Sequence, residues 1–303
     1  MINPPSETST LALLSLDGLS VGDAFGQQFF YPELFQKGVS RRQLPVHPWK
    51  YTDDTVMAIS VTEQLLANGA IDQDALAKAF TRRFYEDPGR GYGSGMQDLL
   101  RRLDDGVPWR TAATELFGGG SYGNGAAMRV APLGVFFSHD LERAVHEARL
   151  SAEVTHAHAE GVNGAIAVAA AAVWAARRRS GLSEGDHLDL LRFVVAVTPA
   201  GKVRDGLERA ATLGPTAWAH DAANQLGNGS QITAMDTVPF CLWCAATHYD
   251  NYEEALWTVA QVGGDIDTNA AIVGGIVALS STPPGIPADW IRCRESLRTF
   301  FDP

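Results

Sequence analysis

Cysteine is scarce in this chain of 303 residues: Cys241, Cys244 and Cys293 are the only three. That is too few for a disulfide framework and fits a reducing compartment. Positive charge is also in short supply. Lys and Arg number 24 against 35 Asp and Glu, a formal net charge of −11, and no basic run exceeds Arg177–Arg179. Such a field repels nucleic acid and anionic membrane, so an anionic ligand must be held by a local site. Long apolar runs are missing as well. Ala165–Ala176 spans 12 residues, whereas a membrane span needs roughly 20. Met1–Thr10 has no basic segment and no apolar core, so no secretory leader is expected. These absences together predict a cytoplasmic protein with no membrane and no direct nucleic-acid partner. Period-2 alternation is rare, and no strand–helix rhythm supports a dinucleotide-binding sheet.

What is present is material for a core and a strong helical period. Hydrophobic residues make up 46% and charged residues 19%. Helices are predicted at Leu11–Gly26, Tyr51–Asn68, Asp74–Phe84, Met96–Leu103, Thr111–Phe117 and Leu141–Thr155. The series continues through Asn163–Arg179, Leu188–Val197, Lys202–Leu213 and Thr216–Leu226. It ends with Val238–His248, Tyr252–Gln261, Asn269–Ser280 and Trp290–Phe301. Val130–Phe137 reads as helix or strand, and Phe29–Trp49 as a long loop. The expected architecture is all-α: a compact single-domain orthogonal helical bundle over residues 1–303. Gly18, Gly22 and Gly26 form a stripe on the first helix that lets another backbone approach closely, with Asp23 inside it.

Several stretches carry chemistry. Gly263–Asn269 reads Gly-Gly-Asp-Ile-Asp-Thr-Asn, and Thr52–Thr55 reads Thr-Asp-Asp-Thr. Each alone can be a helix N-cap with a spare acid. As a pair they imply more, because carboxylates brought together raise one another's pKa. Two divalent cations would relieve that repulsion, in a central cleft, and clamp or activate a water. Asp53, Asp54, Asp265 and Asp267 would supply carboxylates, with Thr52 and Thr268 completing a set of oxygen donors. Gly118–Arg129 is glycine-rich and can cradle a phosphate through backbone N–H groups, or be plain turn chemistry. It lacks the P-loop spacing. His156, in Thr-His-Ala-His, is a ligand-contacting histidine or a structural hydrogen-bonder. Cys241-Leu-Trp-Cys244 has no second pair and no nearby His, which favours buried helix cysteines over a zinc or redox site.

In order along the chain stand Gly22-Asp-Ala-Phe-Gly26, Thr52-Asp-Asp-Thr55, Gly91-Tyr-Gly-Ser-Gly95 and Gly123-Asn-Gly-Ala-Ala-Met-Arg129. Ser151-x-x-x-Thr-His156 and Gly263-Gly-Asp-Ile-Asp-Thr-Asn269 follow. This ordered set, from about Leu11 to Leu279, resembles the ADP-ribosylglycohydrolase family. Ser121-Tyr-Gly-Asn-Gly125 and Thr155-His156 look most like the branch acting on serine-linked ADP-ribose and poly(ADP-ribose). The resemblance implies an all-α fold with two Mg²⁺ (or Mn²⁺) held by Thr52, Asp53, Asp54, Asp265, Asp267 and Thr268. It implies ADP-ribose or an ADP-ribosylated protein as ligand. Ser121, Tyr122, Gly123, Asn124 and Gly125 would hold the diphosphate, Gly93, Ser94 and Gly95 would line the groove, and His156 would touch the ligand. Phe117 and Tyr122 are aromatics available to stack on adenine. The implied reaction is hydrolysis at the anomeric carbon, with Asp53, Asp54 and Asp265 at the reacting centre. The sequence departs from the family in two places. The glutamate common after Gly-Asp-Ala is absent, leaving Glu33 as the first acid to take its role. Met96 stands where Thr is common. The alternative reading is a non-catalytic ADP-ribose-binding or crystallin-like protein on the same fold; retention of all six metal-ligand positions argues against it.

Overall fold

A computed structural model gives the fold and describes residues 7–30, 38–182, 185–280 and 285–297. Helix α1 (Glu7–Gln27) is followed by α2 (Asp53–Asn68), which starts at the Thr-Asp-Asp-Thr cluster. Gly69, at φ 69°, closes α2 in the left-handed conformation. Asp72 caps α3 (Gln73–Glu86), its side chain accepting from the Ala75 N–H. Next come α4 (Ser94–Asp104), α5 (Trp109–Glu115) and α6 (Ala131–Phe136). The ambiguous Val130–Phe137 stretch is thus helix, with Pro132 in its first turn. Then follow α7 (Leu141–Glu153), α8 (Ala159–Arg179), α9 (His187–Val197), α10 (Lys202–Leu213) and α11 (Ala219–Leu226). The last four are α12 (Ala234–Thr247), α13 (Tyr252–Val262), α14 (Ile266–Val277) and α15 (Ala288–Cys293). Strand pairing among the described residues is limited to two isolated bridges, Trp49 with Arg294 and Gly123 with Thr233. The fold is all-α, as the periodicity predicts.

Helix ends differ from the sequence reading where a cap was not legible. α8 begins at Ala159 rather than Asn163, because His158 Nδ1 accepts the Glu160 N–H at 3.1 Å. α12 begins at Ala234 rather than Val238, because Thr233 Oγ1 accepts the Asp236 N–H at 3.2 Å. The predicted helix Trp290–Phe301 stops at Cys293. The chain then runs extended beside Trp49: the Trp49 N–H donates to Cys293 O at 2.6 Å, and the Glu295 N–H to Trp49 O at 2.9 Å. Residues 298–303 lie outside the described residues.

Two central helices organise the packing. α8 is buried along Gly161–Ala176 and covered by α6, α7, α9 and α12. It is long and apolar enough to cross a membrane by composition, yet it is a core helix here. The most extensive helix pair is α1 against α14. A Cβ on Gly22 would lie 2.1 Å from Ala270 O, and one on Gly18 2.4 Å from Gly274 O. Only glycine lets these backbones touch, at a helix-propensity cost of about 1 kcal/mol each. The contact brings Asp23 of α1 to the first turn of α14.

Candidate active site

The N-termini of α2 and α14 meet beside Asp23. Gly263 and Gly264, at φ 68° and 79°, turn the chain into α14. Asp265 is the N-cap of α14 and Thr52 the N-cap of α2, and neither caps its own helix with a side-chain bond. Asp23 caps α2 from outside instead. Its Oδ2 accepts from the Thr52 N–H (2.9 Å), the Thr55 N–H (3.1 Å) and the Thr55 hydroxyl (2.5 Å). Its Oδ1 accepts from the Thr52 hydroxyl at 2.8 Å. Carboxylate oxygens of Asp23, Asp54 and Asp267 all lie within 4.8 Å of one another. Both helix N-termini present positive dipole ends to this cluster.

Five of the six predicted ligands, Asp53, Asp54, Asp265, Asp267 and Thr268, line one cleft of about 410 Å³. Thr52 lies just behind, its hydroxyl within 2.9 Å of Asp54 Oδ2. Burial raises every carboxyl here. Asp53 is pushed up to about 8, by burial first and then by Asp23 and Asp265. Asp54 and Asp267 are pushed well above the carboxylate range by burial and by neighbouring acids. Asp23 rises to about 6, because burial outweighs its threonine donors. Asp54 Oδ1 is buried without a partner among the described residues. The Arg83 and Arg90 guanidiniums are committed elsewhere, to Glu63 and to Asp87 and Glu295. An all-oxygen donor set, excess negative charge and an orphaned carboxylate oxygen fit a hard divalent cation. The acid cluster can therefore hold metal; Asp23, with both oxygens occupied by threonine donors, positions Thr52 and Thr55.

The facing wall is the glycine loop. Ser121, Tyr122, Gly123, Asn124 and Gly125 line the cleft, as do Gly93, Ser94, Gly95 and His156. Ala234 N–H donates to Tyr122 O at 3.0 Å, which ties the loop to the start of α12. The Asn124 side-chain amide is spent inward, on Asp265 Oδ2 (2.7 Å) and Thr237 Oγ1 (3.0 Å). It braces the two walls. The imidazole edge of His156 runs under the loop: a Cβ on Gly125 would lie 2.9 Å from its Cε1. Burial and the nearby Arg129 lower the His156 pKa to about 3, so the ring is neutral.

Phe117 and Tyr122 stand exposed at the mouth, 71% and 45% accessible. Phe117 holds φ 56°, a strained conformation for a non-glycine residue at the rim of a cleft. Ile232, at φ 54°, lines the same cleft with Gln231 and Thr233. The sequence reading missed this loop; its one local signal was Gly-Asn-Gly at 227–229. Asp23 was visible but unassigned. Glu33 lies outside the described residues. Cys241 and Cys244 are buried helix residues; Cys241 Sγ lies 3.3 Å from Asn269 Oδ1. A wider groove of about 790 Å³, lined by Asp74, Tyr85, Trp109 and others, brings together no cluster of buried acids.

Residues 7–301 match the family described as ADP-ribosylglycohydrolase. A human protein named ADP-ribosylhydrolase ARH3 is 30% identical over 278 residues, covering 81% of this chain and 74% of that protein. An uncharacterized protein of Archaeoglobus fulgidus is 31% identical over 287 residues, covering 91% and 88%. A Pseudomonas putida protein named ADP-ribosylarginine hydrolase Tri1 is 25% identical over 304 residues, covering 95% and 75%. A solved structure described as an ADP-ribosylglycohydrolase-related protein complex aligns with TM-score 0.65 at 25% identity, covering 95% of this chain and 93% of that one. These matches bear out the resemblance carried by the motifs.

Proposed function

This chain belongs to the ADP-ribosylglycohydrolase family, and on that footing we propose that it is a metal-dependent ADP-ribosylhydrolase. Its substrate is the glycosidic bond between ADP-ribose and a modified side chain, serine or arginine, or the next unit of an ADP-ribose polymer. One observation carries the reading: a single cleft has one wall of buried, mutually repelling acids and another that is a glycine-rich loop. A ligand with a diphosphate and a ribose diol satisfies both.

Two divalent cations, Mg²⁺ or Mn²⁺, fit Thr52, Asp53, Asp54, Asp265, Asp267 and Thr268. When bound, such ions supply Lewis-acid polarisation and lower the pKa of water. The remaining work belongs to the chain. Backbone N–H groups of Ser121–Gly125 hold the diphosphate, and His156 donates from its ring. Phe117 and Tyr122 offer faces for adenine. Asp53, half-buried and facing the cleft, takes a proton from the attacking water as its oxygen bonds to the anomeric carbon. The C–O or C–N bond to the side chain breaks, and the leaving atom takes up a proton. Glu33 is the second carboxyl proposed for this exchange. Among the relatives, one name specifies an arginine linkage and the ARH3 name specifies none, so the linkage is left to the test.

The test is a panel of serine-, arginine- and polymer-linked ADP-ribose, assayed with Mg²⁺, Mn²⁺ and EDTA. Release of free ADP-ribose with metal and none with EDTA is expected on at least one linkage. Tight ADP-ribose binding with no turnover on any linkage would replace the hydrolase with a binding protein.

A further inference from the structure

Among the described residues Arg129 is a fully buried cation with no carboxylate bonded to it, and its Nε is buried without a partner. Its guanidinium stacks on Phe80 at 4.6 Å and donates to Gly125 O (3.2 Å), Ser151 O (2.7 Å) and Thr155 Oγ1 (2.9 Å). Thr155 Oγ1 in turn lies 2.7 Å from His156 Nδ1. An arginine only donates, so Thr155 Oγ1 must accept from it. The threonine then has one hydrogen left. Were His156 to donate from Nδ1, that hydrogen would be buried without an acceptor, at about 1–3 kcal/mol. The satisfied arrangement has Thr155 donating to Nδ1, which puts the ring proton on Nε2.

We propose that Arg129 and Thr155 form a buried relay that fixes the tautomer of His156, so that Nε2–H points into the cleft as a donor. The two residues are positioning residues: Thr155 is buried at the cleft lining beside His156, and His156 presents the donor. Nε2 has no protein partner among the described residues. It sits where a Cβ on Gly123 or Gly125 would be 3.3 or 3.1 Å away, so the loop's glycines leave this nitrogen open to a ligand oxygen. The same guanidinium holds Gly125 O, so one buried cation sets both the loop's backbone and the ring's donor face. Burial keeps the ring neutral, and the relay decides which nitrogen carries the proton. The consequence for affinity rests on the ADP-ribose reading above; the tautomer does not.

The test uses ¹⁵N-histidine-labelled full-length protein with Mg²⁺, read by long-range ¹H–¹⁵N correlation. In the wild type, His156 Nδ1 should resonate as a bare, pyridine-type nitrogen and Nε2 as a protonated, pyrrole-type one. The opposite pattern overturns the proposal with no variant needed. Thr155→Val removes the hydroxyl at nearly constant shape; it should give mixed tautomers and about tenfold weaker ADP-ribose binding by calorimetry. Thr155→Ser restores the hydroxyl and should restore both. A valine variant with wild-type tautomer and wild-type affinity also overturns the relay. If the wild type shows the expected tautomer but gives no heat with ADP-ribose, the ligand reading fails and the relay stands.

Discussion

The two walls of the cleft are built on opposite electrostatic plans. On the glycine wall most polar groups find partners within the chain: Arg129 has three acceptors, though its Nε is buried without one, Thr155 meets His156, and Asn124 is doubly bonded. On the acid wall burial and repulsion raise all of the carboxyls, and Asp54 Oδ1 is orphaned. The glycine wall keeps its open donors for a ligand, whereas the acid wall, on the function proposed above, is completed by cations. Acid-wall variants should therefore act through the metal, and glycine-wall variants through the shape offered to the ligand.

The largest effect is expected for Asp53→Asn or Asp265→Asn. Losing a cation forfeits several kcal/mol of transition-state stabilisation, and each 1.36 kcal/mol is a factor of ten, so turnover should fall by roughly a thousandfold. The metal-free variant should melt no lower than the metal-free wild type, since a repelling charge has gone. A variant that hydrolyses substrate at the wild-type rate would sink the dinuclear reading. Next in size is Gly125→Ala. Gly125 is not in the left-handed region, so the added methyl strains no backbone; it collides with the His156 ring, 2.9 Å from Cε1. ADP-ribose affinity should fall about tenfold or more, with the metal affinity unchanged. Equal losses in both would mean that the walls are not separable.

Much of this division was legible before any fold was known. The Asp/Thr clusters are short, fixed in spacing and rich in one chemistry, so their residue types carried the inference. The glycine stripe on α1 announced a close approach, and the partner helix α14 supplies it. What escaped depends on contacts between distant segments. Asp23 takes its meaning from donors at Thr52 and Thr55, and Arg129 from acceptors on α7 and beyond. Ile232 sits in no periodic pattern. The tail looked helical by composition, but pairing with Trp49 competes successfully for its backbone after Cys293. Glu33, the acid proposed to replace a familiar glutamate, falls outside the described residues.

A third expectation uses pH to separate the walls. The Asp53 carboxyl rises from 3.8 to about 8 in the folded chain. The folded state then binds more protons than the unfolded one, so the sign is negative: metal-free stability falls as pH rises from about 4 toward 8. Mg²⁺ should cancel the fall. The Tm gap between Mg²⁺ and EDTA samples should thus widen by roughly 5 °C between pH 5 and pH 8. His156, whose folded pKa is depressed, makes stability rise with pH equally in the Mg²⁺ and EDTA samples, and so cancels from the gap. A gap constant with pH would mean that some group other than a cation already compensates the acid wall.

The smallest effect probes how the acid wall is tied to the rest of the chain. Glu295 accepts the Tyr51 N–H at 3.0 Å and pairs with Arg90. Arg90 also donates to Tyr51 O at 2.9 Å, and its own carbonyl accepts the Asp53 N–H at 2.7 Å. A strap after α15 thereby reaches the first residues of α2. Glu295→Gln keeps an acceptor for Tyr51 and removes only the charge paired with Arg90. A partly exposed ion pair contributes about 1 kcal/mol at most, so Tm should drop by roughly 2 °C and turnover should stay within about threefold. A tenfold or larger loss of turnover at saturating Mg²⁺, with Tm little changed, would give the strap a different rank. It would make the geometry of Asp53 depend on the tail, and the acid wall would need a third support besides α1 and its cations.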